Sequence, residues 1–365
     1  MLMSLYNITI NKEQQKFIGV IFLSVFIFFI GFKYEVGSDW LAYKEVYLGV
    51  RHLKFEFIWE YLYTFFRELG INFYYMSAFL STISILLMYK GTRKHTDYAV
   101  AVIGLFYLAM TPNFIWEAQR SFLAFSIFTL YFMTDSKKKF YTLTLLTTLI
   151  HSSLIFTIII PFLKNQIKTI TMVVTILVLI FIQISGESIL KIALDIGKLL
   201  PLPGTMITRI YYYETKLIIP TITLGFLLKN IVFFILLLFK SKAEEKYKTI
   251  HIHLLYNMSF IYIVILYVFL PANEIIHRVF VFYLYGMCYL IILIVMMFRT
   301  NIEKVLIFSI FMFYFVLTFF SYSQKIPFQM GYLPYQNLLL IDLYGKEQID
   351  KEDIIIEKWE LDKAR

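Results

Sequence analysis

Residues Thr142–Leu163 read TLTLLTTLIHSSLIFTIIIPFL, an apolar stretch interrupted at its middle by His151-Ser152-Ser153. A helix that crosses a bilayer needs about 20 mostly apolar residues at a rise of about 1.5 Å each. Read whole, the stretch is one crossing with a buried histidine hydrogen-bonded to a neighbour. Read as two arms of about eleven residues, each reaching about 16 to 18 Å, it is a re-entrant hairpin that enters and leaves on the same side. The charges around it separate the two readings. Dense basic clusters stay cytoplasmic, and here they are Lys90/Arg93/Lys94, Lys137-Lys138-Lys139 and Lys240/Lys242/Lys246/Lys248. A single crossing over 141–163 leaves the last cluster on the wrong face, whereas a hairpin returns every cluster, Lys164 and Lys168 included, to the cytoplasm. Non-helical backbone at that depth is tolerated only inside protein or beside an aqueous cavity, so the tip at His151 is a candidate site.

Working outward, further apolar stretches are expected to span at Phe17–Phe32, Phe73–Tyr89, Tyr98–Pro112, Ser121–Thr134, Thr169–Ser185, Thr221–Phe239, Ile252–Leu270, Val279–Phe298 and Val305–Tyr322. With 59% hydrophobic and 19% aromatic residues, the composition is far from that of a soluble domain. The expected fold is an all-α polytopic membrane protein with about nine to ten transmembrane helices, hairpin included. We expect one membrane domain over 1–340 and a charged tail over 341–365. Lys12 and Lys16 before the first run resemble a signal peptide, but Phe32-Lys33-Tyr34-Glu35 offers no small-residue cleavage site, so the run is read as an uncleaved span. The formal charge of +9 sits in short loops, as insertion topology requires, and is not a nucleic-acid footprint. The one cysteine, Cys288, lies in an apolar run; it has no disulfide partner and reads as a small packing residue.

This topology places the N-terminus in the cytoplasm and collects polar residues on the outer face: Asp39, Glu56, Glu60, Glu117, Arg120, His151, Arg209, Glu214, Glu274, His277 and Arg278. Between the first two spans, Phe57, Ile58, Tyr61, Leu62, Phe65, Phe66 and Leu69 recur at helical spacing, with Glu60, Arg67 and Glu68 opposite, the pattern of an interfacial amphipathic helix. Each candidate has a plain reading beside the functional one. Asp39 is a solvated loop acid or a catalytic group; Arg120 and Arg278, each opening a span, snorkel to headgroups or bind substrate. Arg209, in TRIYYYETK, stacks on Tyr211–Tyr213 or binds sugar or phosphate. Arginines converging on one cavity suit a pyrophosphate-bearing lipid, because the guanidinium stays charged and forks onto phosphate oxygens. Aromatic-rich outer loops suit carbohydrate ring faces. His151 is the candidate base for an attacking hydroxyl, with Asp39 or Glu56 competing for that role. The chain has no GK[ST] phosphate loop, no HExxH, no Cys/His cluster and no DxD pair, so we expect chemistry without metal or cofactor.

In order along the chain stand VGSDWLAYKEVY, FEFIWEYLYTFFRELG, EAQRSFLAFSIFTLYFM, LIHSSLIF, EIIHRVFVFYL and GYLPYQNLL. This series resembles the EpsG-like branch of the Wzy-type bacterial polysaccharide polymerases, and the matches run from Gly37 to Tyr335. On the resemblance, Gly37, Asp39 and Tyr43 match a G-x-D-x-x-x-Y motif, Glu56 an acidic position, and Arg120 an Arg that opens a span. His151 and Ser153 match an H-x-S pair, Arg278 a later Arg, and Pro334 and Tyr335 a terminal P-Y, while Arg209 aligns with no motif. The resemblance implies a GT-C-like helical fold that joins oligosaccharide repeat units carried on undecaprenyl pyrophosphate, at the outer face of the bacterial cytoplasmic membrane. It implies O-antigen, capsule or exopolysaccharide as product, and a flippase and a chain-length regulator as partners in the bilayer. His151 or Asp39 would be catalytic, with Arg120, Arg278, Arg209, Glu56, Tyr43 and Tyr335 binding substrate. A flippase for lipid-linked sugars, a polysaccharide ligase and a single-sugar transferase are the alternatives.

Overall fold

The computed structural model describes residues 2–37, 39–51, 55–112, 119–185, 224–248, 251–269, 280–324, 332–333, 335–344 and 351. Among these residues there is no β-strand, only one isolated bridge between Lys33 and Asn337. Backbone polar groups are thus satisfied within helices, as a lipid solvent demands. Lys12–Gly31, Ile252–Phe269 and Asn301–Phe320 are long and apolar enough to cross a membrane, and shorter apolar helices lie at Ala99–Met110, Ser152–Lys164, Thr169–Ile184, Leu227–Leu238 and Val281–Val295. The protein is an all-α polytopic membrane protein. Among the described residues, every span expected from the sequence coincides with a helix.

Two compact units emerge, one formed by Met1–Ile158 with Arg299–Arg365 and the other by Ile159–Phe298. The first unit opens with α1 (Leu2–Asn7) and α2 (Lys12–Phe26), whose start is a capping box: Gln14 N donates to Asn11 Oδ1 at 3.0 Å and Asn11 N to Gln14 Oε1 at 3.4 Å. The span then passes through a π-helical turn, Ile27–Gly31, which disturbs the regular ladder of carbonyls. Two carbonyls there are taken from outside: Asn337 Nδ2 donates to Phe28 O and the Tyr335 hydroxyl to Phe29 O, each at 2.6 Å. Short helices α3 (Trp40–Tyr47) and α4 (Phe57–Glu68) follow, then α5 (Phe73–His95), α6 (Ala99–Pro112), α7 (Gln119–Thr129) and α8 (Lys137–Thr148). The expected span Phe73–Tyr89 extends to His95 because Arg93, Lys94 and His95 sit favourably on the negative end of the helix dipole. α5 and α7 pack backbone to side chain through Gly91, where a Cβ would lie 2.7 Å from the Thr129 carbonyl carbon.

The break expected at His151-Ser152-Ser153 is present: α8 ends at Thr148 and the chain resumes as a 3-10 helix, Ser152–Lys164. Here the structure differs from the expectation of two equal arms. The second arm contains Pro161, which cannot donate to an α-helical ladder, and a run of β-branched residues. At about 2.0 Å per residue it reaches about 26 Å, more than half a bilayer.

α4 also departs from the simple amphipathic reading. Its buried side chains are Trp59, Tyr63 and Phe66, whereas Phe57, Tyr61, Phe65 and Leu69 at its end are exposed. The helix has two apolar stripes on opposite sides, one packed on protein and one free for acyl chains, which is the pattern of a helix bedded in the membrane interface.

In the second unit, α9 (Thr169–Ile184), α10 (Leu224–Leu238), α11 (Lys240–Lys246), α12 (Ile252–Phe269) and α13 (Val281–Val295) are described. Every residue of α13 is buried, so it is the centre of that unit, and Cys288 packs inside it as an apolar residue would. Asn257 Nδ2 donates to Leu163 O at 2.7 Å and to Asn165 O at 2.6 Å, tying α12 to the chain that leads into α9. The first unit closes with α14 (Asn301–Ser323) and α15 (Leu338–Tyr344).

Candidate functional site

The site grows from the meeting of two helix ends in the first unit. The amide of Ile58, in the first turn of α4, donates to the carbonyl of Leu149, just past α8, at 3.2 Å. One orphan donor and one orphan acceptor satisfy each other, and the residues flanking them, Glu56 and His151-Ser152, are brought side by side. Glu56 is the N-cap residue of α4 but does not cap it with its side chain. The Glu60 carboxylate instead turns back to accept the Phe55 amide at 2.9 Å. That leaves the Glu56 carboxylate to reach outward.

Its Oε1 lies 3.1 Å from His151 Nδ1 and accepts from the Ser152 amide at 3.0 Å and the Ser152 hydroxyl at 3.1 Å. Its Oε2 accepts from Arg120 Nη1 in a direct ion pair. Arg120 Nε faces the Tyr43 hydroxyl at 3.4 Å, and the guanidinium carbon lies 4.2 Å from the centre of the Phe55 ring, a cation–π contact. Burial raises the Glu56 pKa, but the hydrogen bonds from His151 and Ser152 and the charge of Arg120 outweigh it and hold the carboxyl well below its usual range. Glu56 is therefore a fixed anion. A carboxylate only accepts, so the Nδ1 of His151 carries the hydrogen, and in the neutral ring the lone pair is on Nε2. His151 is 6% exposed, and its Nε2 has no hydrogen-bond partner among the described residues; neither has Ser153 Oγ.

Of the residues expected from the sequence, Glu56, Arg120, His151 and Tyr43 are thus in one cluster. Asp39 is exposed at the N-cap of α3, one turn before Tyr43, and its side chain does not cap that helix. Tyr335 directs its hydroxyl to Phe29 O and its ring to Phe29, 5.9 Å between centres. Arg209, Arg278 and Pro334 lie outside the described residues, as do Glu117, Glu214, Glu274 and His277. Two members escaped sequence reasoning. Ser152, rather than Ser153, holds Glu56, and Phe55 supplies the face under Arg120. The available signal for Phe55 was its place directly before an N-cap acid, which is weak among so many aromatics.

A family model, the EpsG family, matches residues 16–337. The chain belongs to the EpsG family, whose members are membrane proteins of polysaccharide biosynthesis. No curated protein and no solved structure matches it.

Proposed function

We propose that the protein is a polymerase that joins lipid-linked oligosaccharide repeat units at the outer face of the bacterial cytoplasmic membrane. The observation that carries this reading is the Arg120–Glu56–His151 chain, in which an acid fixes a histidine through one ring nitrogen and leaves the other free. His151 Nε2 takes the proton from a hydroxyl of the next unit as that oxygen bonds to the anomeric carbon of the growing glycan. The bond from that carbon to the phosphate oxygen breaks, and its electron pair leaves with undecaprenyl pyrophosphate. Arg120 uses two of its five N–H donors on Glu56 and Tyr43. In this reading the remainder would serve the developing phosphate charge, where a preorganised cation contributes most. Arg278 and Arg209 are proposed as further phosphate ligands from the sequence, and Asp39 as a sugar ligand or second base.

Deleting the gene and restoring it with variants tests the reading. Polymerase function requires that the deletion strain accumulates single repeat units on lipid outside the cell and loses its long-chain ladder. His151→Ala and Arg120→Ala then fail to restore the ladder. Accumulation inside the cell would indicate a flippase, and an unchanged ladder with both variants would refute the assignment.

A further inference from the structure

The C-terminal segment has no part in the cluster described above, yet it is hydrogen-bonded to the chain that leads from the π turn into α3. Its pairing begins with the antiparallel bridge between Lys33 and Asn337, flanked by the Tyr34 amide donating to Gln336 O at 3.0 Å and the Leu338 amide to Phe32 O at 2.8 Å. Asn337 is 2% exposed and its side chain is used twice: Nδ2 donates to Phe28 O, and Oδ1 accepts from the Leu339 amide at 3.1 Å, which caps the start of α15. Tyr332 packs on Val36. Within α15, Asp342 Oδ2 accepts from the hydroxyl of Tyr75, in the first turn of α5, at 2.6 Å. Lys351, further along, is fully buried, and the charge of Glu35 acts on its ammonium.

The stretch held in this way has a backbone that needs outside support. Glu35 has φ +51° and Gly37 φ +100°. Glycine adopts a positive φ freely, but a residue such as Glu35 keeps one only where its surroundings over-determine it. Both of its neighbours are fixed by the C-terminal segment, Tyr34 through its amide and Val36 through Tyr332, and its own carboxylate accepts the Tyr74 hydroxyl at 2.6 Å. Tyr74 in turn packs on Trp40 and Leu41, the first residues of α3. α3 carries Tyr43, whose hydroxyl lies 3.4 Å from Arg120 Nε. A continuous line of contacts therefore runs from the C-terminal segment through Glu35 and Tyr74 to the site. Its attachments differ in kind. Those of Asn337 are buried, whereas the Tyr75–Asp342 contact is exposed and opens without uncovering any core.

We propose that residues 335–344 form a strap that holds α3 against the site, with the Tyr75–Asp342 contact as its releasable end. Fastened, the strap keeps the stretch through Glu35 in its strained form and Tyr43 on Arg120. Released, it lets that stretch relax to negative φ, and α3 moves off. The strap acts on the geometry of the cluster, whichever reaction the cluster performs.

Amide hydrogen exchange, followed peptide by peptide in full-length protein in lipid nanodiscs, tests this. Asp342→Ala is expected to speed exchange over 33–36 and α3 by about fivefold to tenfold, the scale of one lost hydrogen bond, and to leave α6 and α13 at their wild-type rates. Tyr75→Phe removes a single exposed hydroxyl and is expected to do the same, so the reading survives should Asp342→Ala fail to accumulate. Asp342→Asn, whose Oδ1 still accepts from Tyr75, is expected to restore most of the protection. If α3 keeps its wild-type rate in Tyr75→Phe and Asp342→Ala, or if exchange rises equally in every helix, the contact serves stability alone and the proposal is overturned. Exchange is read without substrate, so this outcome stands apart from that of the ladder assay.

Discussion

Removing the carboxylate of Glu56 is the sharpest perturbation of the site, because this one side chain holds three neighbours. It receives His151 Nδ1 at 3.1 Å, the Ser152 amide at 3.0 Å, the Ser152 hydroxyl at 3.1 Å and the Arg120 guanidinium. A hydrogen bond to a charged group is worth about 1.5 to 3 kcal/mol, and stripping one member from a buried ion pair costs about 3 to 5 kcal/mol. Glu56 and Arg120 side chains are 17% and 19% exposed, so water compensates part of this, and the contacts are not additive. We expect Glu56→Ala to destabilise the protein by about 2 to 4 kcal/mol. The effect on turnover should be larger than the stability loss suggests. With Glu56 gone, His151 loses the partner that directs its ring, and on the proposed mechanism general-base catalysis worth about 10²- to 10⁴-fold would be forfeited. Glu56→Gln separates the two roles. Its amide oxygen still accepts from His151, but its amide nitrogen turns a donor toward the Arg120 guanidinium, so it is expected to fall between wild type and alanine. The assay is incorporation of repeat units into ladder polymer by membranes with matched protein levels, alongside melting in detergent. Glu56→Ala within twofold of wild-type turnover would refute the argument that Glu56 organises the site.

The same geometry sets other expectations. Arg120→Lys keeps the charge but loses the planar face on Phe55 and the fork shared between Glu56 and Tyr43; ladder synthesis should drop at least tenfold, and full activity would show that charge alone suffices. Because the folded Glu56 pKa is depressed, its stabilisation is complete above the unfolded value near 4.3 and is lost only as pH falls from there through the folded value. The melting-temperature gap between wild type and Glu56→Gln should therefore shrink as pH falls below about 4.3; a gap that closes by pH 6 would contradict this. Gly91→Val drives a side chain into the Thr129 backbone and should prevent accumulation of folded protein, which normal membrane levels would disprove. Asn337→Ala removes the donor to Phe28 O at the π turn and should lower the melting temperature by a few degrees, as one lost hydrogen bond does; no change would show that the π turn does not need it.

The spans were legible in the sequence because each is a long apolar run, a signal that does not depend on tertiary context. Trp59 shows where that legibility ends. Helical spacing put it outside the apolar stripe of 57–69, yet it is fully buried, since α4 is apolar on two sides and periodicity reports only one. Residue types at the site were legible too, because Arg, Glu and His at membrane depth are costly without a purpose. Their pairing was not. Glu56 and His151 are separated by 95 positions, and what joins them is a backbone hydrogen bond between the ends of α4 and α8, which leaves no trace in side-chain pattern.

The direction of the chain after His151 remains the point on which topology turns, and the two arms now pull against each other. The charge rule read from the sequence would have Lys139 and Lys164 on one face, as in a hairpin. The 3-10 arm, at about 26 Å, is long enough to cover most of a hydrocarbon core of about 30 Å, which a crossing would use and a half-bilayer arm would not. A tilted re-entrant arm reconciles length with charge, since tilt shortens the depth it reaches while both ends stay on one face. Single cysteines decide this cleanly, because Cys288 is fully buried and gives no background with an impermeant thiol reagent. We expect Lys139→Cys and Gln166→Cys both to react only from the cytoplasmic side. Reaction of Gln166→Cys from outside would convert the hairpin into a crossing and put Lys240–Lys248 on the outer face against the charge rule. The Glu56–His151 contact would survive that outcome, since both residues belong to the first unit, and the chemistry proposed for the site does not depend on which way the second arm leaves.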